Sequence, residues 1–165
     1  MSSSRNIPGA ELCRPLPLAG LALMALNDHL LRVRWPGLVT GKISDLAVLL
    51  YLPGLLAAFA ASLLLAWNAL ARRLGARELD AGPTRARILA ACFLSGLALV
   101  LLKLSPAARD LYVHALAAID FVRERPRYRL ELDPTDLVAL VVLPLAVLDG
   151  LACVRRAEAA ERSAP

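Results

Sequence analysis

An all-α membrane protein is the fold class this sequence predicts. The expected arrangement is four transmembrane helices in two parallel repeated hairpins, plus one interfacial amphipathic helix. Three observations point there. First, 58% of the 165 residues are hydrophobic and the mean hydropathy is +0.59, against about 45–50% apolar residues in soluble domains. Second, the excess is gathered in four blocks rich in Leu and Ala, both good helix formers. The alternating segments of about ten residues that a barrel would need are not visible. Third, the chain repeats itself. Ser44-Asp45-Leu46-Ala47-Val48-Leu49-Leu50-Tyr51-Leu52-Pro53 returns as Thr135-Asp136-Leu137-Val138-Ala139-Leu140-Val141-Val142-Leu143-Pro144. Gly20-Leu21-Ala22-Leu23 with Leu26 matches Gly96-Leu97-Ala98-Leu99 with Leu102.

The elements follow in chain order. Residues 1–15 form a polar tail with Ser2-Ser3-Ser4, Arg5 and Arg14. The basic residues ahead of an apolar run resemble a signal peptide, but no small-x-small cleavage site follows, so an uncleaved anchor is expected. Repeat one covers 16–67. Its first span, about Leu16 to Leu31, is uninterrupted only to Leu26, short of the roughly 20 residues a perpendicular span needs. Either the helix is short, or Asn27, Asp28 and His29 sit inside the protein at the membrane edge. The second span, Ile43 to Trp67, contains Pro53-Gly54, which predicts a kink because proline removes a backbone hydrogen bond and crowds the preceding turn. Trp67 suits an interfacial anchor.

Arg72 to Arg87 is a polar loop. Repeat two covers 88–154. Its third span runs about Ile88 to Leu104 and carries Lys103 at its end. Residues 106–120 mix Leu111, Val113, Leu116, Ala117 and Ile119 with Arg109, Asp110 and His114, which predicts an amphipathic interfacial helix with Pro106 in its first turn. Arg123 to Glu131 is a charged connector whose alternation suits a short extended stretch. Asp133-Pro134-Thr135-Asp136 is a helix start: Asp at the cap, Pro at the first helical position and a first-turn carboxylate. The fourth span ends near Val154, interrupted by Asp149-Gly150, and 155–165 is a second polar tail.

An even number of spans in each repeat makes both copies start on the same side of the membrane. The repeat-linked polar residues then gather on one face: Asn27, Asp28, His29, Lys42 and Asp45 from copy one, Lys103, Asp133 and Asp136 from copy two. Basic residues divide ten to nine between the two faces. The tightly basic central loop flanks two spans, which favours a cell-membrane protein with both termini cytoplasmic. The net charge of +5 lies in the gaps between apolar blocks rather than on a basic stripe interleaved with aromatics, so nucleic acid is not an expected partner.

This polar face is the candidate site. Asp45 and Asp136 occupy equivalent places, and paired carboxylates can share a proton, hold a cation or act as acid and base. A plainer role stands beside these: a first-turn carboxylate offsets the helix dipole by about 0.3–1 kcal/mol. Lys103, at the end of an apolar run, must snorkel or pair, with Asp28, Asp45 or Asp136 as partner. His29 and His114 with an aspartate make a ligand set that zinc accepts, but no tight ligand spacing occurs, so the metal is left open and no cofactor is expected. Thr40-Gly41-Lys42 fails the phosphate-loop pattern because Ile43 follows the lysine. Ser44 and Ser95 lack a nucleophile-elbow frame. The three cysteines, Cys13, Cys92 and Cys153, have no CxxC spacing and read as small hydrophobes.

Asn27-Asp28-His29-Leu30-Leu31 with Thr40-Gly41-Lys42-Ile43-Ser44-Asp45-Leu46-Ala47 resembles a motif of uncharacterised bacterial multi-pass inner-membrane proteins. Lys103-Leu104-Ser105-Pro106 and Asp133-Pro134-Thr135-Asp136-Leu137 are similar to that group's second half. The resemblance spans most of 16–148, implies the architecture and brings no activity. The expected function is a non-enzymatic accessory or scaffold protein in the lipid bilayer, with a membrane-protein partner or a second copy of the chain. Alanines 57, 58, 60 and 61 and Ser62 would permit close packing. The alternatives are a small transporter or ion pathway through Asp45, Asp136 and Lys103, and a membrane enzyme with a His/Asp site.

Overall fold

The structure is a computed structural model that describes residues 11–35, 37–119 and 133–163. Every regular element among these residues is helical. Helix α1 (Pro15–Leu26) opens with prolines, whose missing N–H groups cost nothing in a first turn. It passes directly into a π-helical turn (Asn27–Leu31), then α2 (Arg32–Arg34). The helical path from Pro15 to Arg34 is unbroken, so Asn27-Asp28-His29 do not end it. Helix α3 (Leu38–Leu74) has 37 residues, about 55 Å at 1.5 Å each. The Thr40 hydroxyl caps its start by accepting from the Gly37 N–H and donating to the Gly37 carbonyl. Its end is Gly75, which at φ 67° supplies the left-handed cap that side chains disfavour. The helix carries on through Pro53-Gly54.

Helix α4 (Arg85–Leu104) starts at Thr84, whose side chain accepts from the Arg87 N–H. Helix α5 (Pro106–Ile119) begins at Pro106 as its sequence predicts. The expected extended stretch at 123–131 lies outside the described residues.

The last span starts at the Asp133 cap, where the side chain accepts from the Thr135 N–H at 2.9 Å. Its first nine residues, Pro134–Val142, form a 3₁₀ helix rather than an α-helix. Pro144 supplies a reason. It has no N–H to give the Leu140 carbonyl, which instead accepts from Leu143 in an i→i+3 bond. Helix α6 (Leu143–Arg162) continues through Asp149-Gly150 without interruption and well past Val154. Gly150 is there for contact: a Cβ on it would collide with Ile88 of α4. Most of what reads in sequence as a polar tail after Val154 is therefore helix.

Three helical stretches are long and apolar enough to cross a membrane: Leu38–Leu74, Arg85–Leu104 and Pro134–Ala160. Their packing inverts the soluble pattern. Small residues face inward, with Ala47, Ala57, Ala61, Ala91 and Ala139 buried, while Phe59, Leu63, Phe93, Leu94, Val141 and Leu148 point outward. Lipid removes the penalty for exposed leucines, and helix association then depends on close approach. Of the small residues on α3, Ala57, Ala58 and Ala61 bury; Ser62 is exposed and bonds back to the Ala58 carbonyl. Gly20 of α1 lies against Ala47, Leu50 and Tyr51 of α3, and Gly96 of α4 against Leu140 and Leu143 of the last span.

The tightness at Gly20 is testable. Its Cβ would stand 2.8 Å from Leu50 Cβ and 3.0 Å from the Ala47 carbonyl oxygen. Gly20→Ala should therefore cost about 1–3 kcal/mol in detergent thermal unfolding. Gly41→Ala, with nothing within 4 Å of the new carbon, should be neutral or stabilising by about 0.5–1 kcal/mol.

Candidate functional site

Five of the eight expected polar residues form one ion network. Lys103, at the C-terminal end of α4, places its Nζ 2.6 Å from Asp136 Oδ2 and 2.8 Å from Asp45 Oδ2. Lys42 Nζ lies 3.0 Å from Asp136 Oδ1 and 3.8 Å from Asp133 Oδ2, and donates to the Thr135 hydroxyl at 2.6 Å. Helix polarity explains the convergence. Asp45 and Lys42 sit in the first turns of α3, Asp136 in the first turn of the 3₁₀ segment, and Lys103 in the last turn of α4. Each charge opposes the dipole end it occupies, Lys42 excepted.

Asp136 bridges both lysines, one on each oxygen, and 9% of it is exposed. Asp45 is less well served. Its contact with Lys103 lies off hydrogen-bond geometry, and its buried Oδ2 has no hydrogen-bond partner among the described residues. Thr135 binds Asp133 Oδ1 through both its N–H and its hydroxyl. Those bonds hold the Asp133 carboxyl below the usual carboxylate range.

The other expected residues stand apart. Asn27 is fully buried and donates to Ser44 Oγ and the Thr40 carbonyl. It thus joins α1 to α3 without touching the ions. Asp28 is not a partner of Lys103; it faces Arg32 one turn along, at 3.5 Å. His29 is exposed, and exposed His114 contacts the Asp110 carbonyl through Nδ1. Among the described residues, no group of three His, Cys, Asp or Glu side chains is placed to hold a metal ion. Cys13, Cys92 and Cys153 are free thiols.

Directly beneath the network lies an apolar layer. Leu49 is one turn after Asp45, Leu99 one turn before Lys103, and Ala139 one 3₁₀ turn after Asp136. All three are buried and pack together.

A second polar cluster occupies the other end. Arg14 donates twice to Asp149 at 2.7 Å, the bidentate geometry that makes arginine–carboxylate pairs strong. Asp149 raises the Arg14 guanidinium above its usual range. Arg87 donates to Glu11 at 3.0 Å, and Glu11 is 5% exposed. Residues 11–14 are thus clamped to α4 and α6 rather than trailing as a tail. Sequence reasoning missed this cluster. Its one available signal was Asp149, an ionisable residue within an apolar block, which reads more naturally as a partnered charge than as a break. Between these pairs, Glu11, Pro17, Pro53, Cys92, Ala146 and Asp149 line a cavity of about 20 Å³, room for a single water. Arg87 and Lys103 are sixteen residues apart on α4, so the clusters are about 24 Å apart along it.

Comparison with known protein families, characterised proteins and solved structures finds no match to this chain.

Two outcomes check the site. Lys103→Met leaves Asp45 and Asp136 facing each other without their shared cation and should cost about 3–5 kcal/mol. Adding Asp45→Asn and Asp136→Asn should restore much of it; melting temperatures in detergent decide. Asp133 has a lowered carboxyl, so its cap supports the fold above the ordinary carboxylate range and loses that support as pH falls through the lowered value. Asp133→Asn keeps a capping oxygen and should flatten this limb of the acid-unfolding profile.

Proposed function

We infer that the chain is a four-span protein of the bacterial inner membrane, built as two parallel hairpins, and that it works as a non-enzymatic scaffold or accessory protein. The observation that carries this reading is how the charges of the polar face are used. Lys103 is held between carboxylates of two other spans, and Lys42 between Asp133 and Asp136. Charges so paired tie helices together and leave little free for chemistry on a substrate.

Three features support the finer architecture. The path from Pro15 to Arg34 is about 30 Å long, enough to cross a hydrocarbon core with α1 antiparallel to α3. Gly20 and Gly96 each sit at the tight contact of their own hairpin. Asn27 meets Ser44, and its counterpart Lys103 meets Asp136, the neighbour of Ser44's counterpart Thr135. The partner is a second membrane protein or another copy of this chain, docked within the bilayer. The packed Leu49–Leu99–Ala139 cluster below the network favours the scaffold over a transporter.

Four spans put both termini on one side, here the cytoplasmic one; three spans put them on opposite sides. Natural Cys13, which is exposed, and a Ser163→Cys variant in a chain otherwise free of cysteine should both resist a membrane-impermeant maleimide in intact cells and label after lysis. Labelling of one terminus alone in intact cells sinks the four-span reading. Proteoliposomes should show no proton or sodium flux that Asp45→Asn abolishes; such a flux would replace the scaffold with a transporter.

A further inference from the structure

The least explained surface of the molecule surrounds the approach to α3. Val33, Trp35, Leu38 and Val39 are 66–74% exposed. None belongs to the central part of a span, and all lie on the network's side of the molecule. Leu38 and Val39 precede Asp45 by about two turns, so they stand about 10 Å further out along the helix axis. A face that met water there would have four large apolar side chains standing clear of its charged groups.

We propose that Val33, Trp35, Leu38 and Val39 insert into the lipid interface as a membrane-anchoring wedge, which submerges the inner ions Lys103, Asp45 and Asp136 below the headgroups. Three observations select lipid as the occupant. Leu38 and Val39 are the first residues of α3, whose exposed side chains further along include Leu55, Phe59 and Leu63. Arg32 and Arg34 alternate with Val33 and Trp35, and both arginines are exposed. Guanidinium groups reach phosphates while their neighbours enter the acyl boundary. Tryptophan itself prefers that boundary, with an apolar ring and one N–H for a polar partner.

The wedge accounts for the form of the network. Charges at a wet surface need no internal pairing, because water solvates them and screens their partners. Charges under the headgroups must be matched inside the protein. Lys103 is matched by two carboxylates and 9% exposed. Lys42 and Asp133, nearer the outer edge, are about 30% exposed in their side chains. Exposure thus falls from the wedge side inward, as a graded passage from headgroups to hydrocarbon requires. The proposal rests on the membrane reading above and adds a depth to it.

The chain has two tryptophans, Trp35 and Trp67, so single-tryptophan variants report each end separately. The W67F protein is reconstituted in phosphatidylcholine vesicles containing lipid brominated high on the acyl chain. Trp35 emission should fall by about half or more and be shielded from aqueous iodide, as for a ring 5–10 Å into the boundary. Quenching by iodide without quenching by bromine places Trp35 in water and overturns the proposal. Shielding from both means that protein covers it, which also overturns it. The W35F protein separates this from the broader reading. Bromine quenching of Trp67 with none of Trp35 leaves an inserted protein without a wedge; quenching of neither removes the membrane reading itself. Should W67F fail to fold, a nitroxide on Leu38→Cys in the cysteine-free chain reads the same depth. Oxygen must relax it more strongly than a water-soluble nickel complex, and the reverse order refutes the wedge.

Discussion

One ammonium group holds three helices in register. Lys103 enters from α4, Asp45 from α3 and Asp136 from the 3₁₀ start of the last span, and the contacts are 2.8 and 2.6 Å. Removing Lys103 leaves two carboxylates facing each other in surroundings that solvate them poorly. The contact also sets depth. Lys103 is anchored at the last turn of α4, which aligns Leu99 with Leu49 and Ala139 one turn below. The apolar layer is thus positioned by the ions above it as much as by its own packing.

The opposite end repeats the device with arginine. Arg14–Asp149 and Arg87–Glu11 clamp residues 11–14 to α4 and α6. The two clusters are about 24 Å apart along α4, with alanines and glycines bringing the helices close between them. Each cluster is local in space but long-range in sequence: Arg14 and Asp149 are 135 residues apart. In lipid the hydrophobic effect does little to choose among helix arrangements, so such polar contacts and small-residue contacts carry most of the specificity.

Much of this was legible residue by residue. The spans follow from runs of Leu and Ala, the helix start at Asp133-Pro134 from its cap chemistry, and α5 from Pro106 and the mixed pattern after it. Lys103 was legible as a residue in need of a carboxylate, and two of its three candidate partners are the ones it has. Asp28 was not excluded by sequence, because its neighbour Arg32 competes for it only once the helix turns. The π turn at Asn27–Leu31 had no sequence signal at all. The 3₁₀ run had one, Pro144, whose missing N–H frees the Leu140 carbonyl to an earlier donor. Asp149-Gly150 was read as a break because both residues weaken helices in water. In the bundle the aspartate meets Arg14 and the glycine admits Ile88, so the same pair secures a contact.

By itself the sequence determined that the chain is helical, that the three longest apolar stretches can span a membrane, and which side chains would be costly left alone. Those properties are local: propensity, capping and hydropathy act within a few residues. Which charge meets which was decided only in the tertiary structure. Helix polarity brings Asp45, Asp136 and Lys103 to the same end, but the rotation of each helix about its axis selects the pairs. That rotation is set by close contacts at Gly20 and Gly150, where a single Cβ would collide, and at Gly96, where it would press on Leu143. The partner of a buried charge is therefore a property of packing, and no local pattern encodes it.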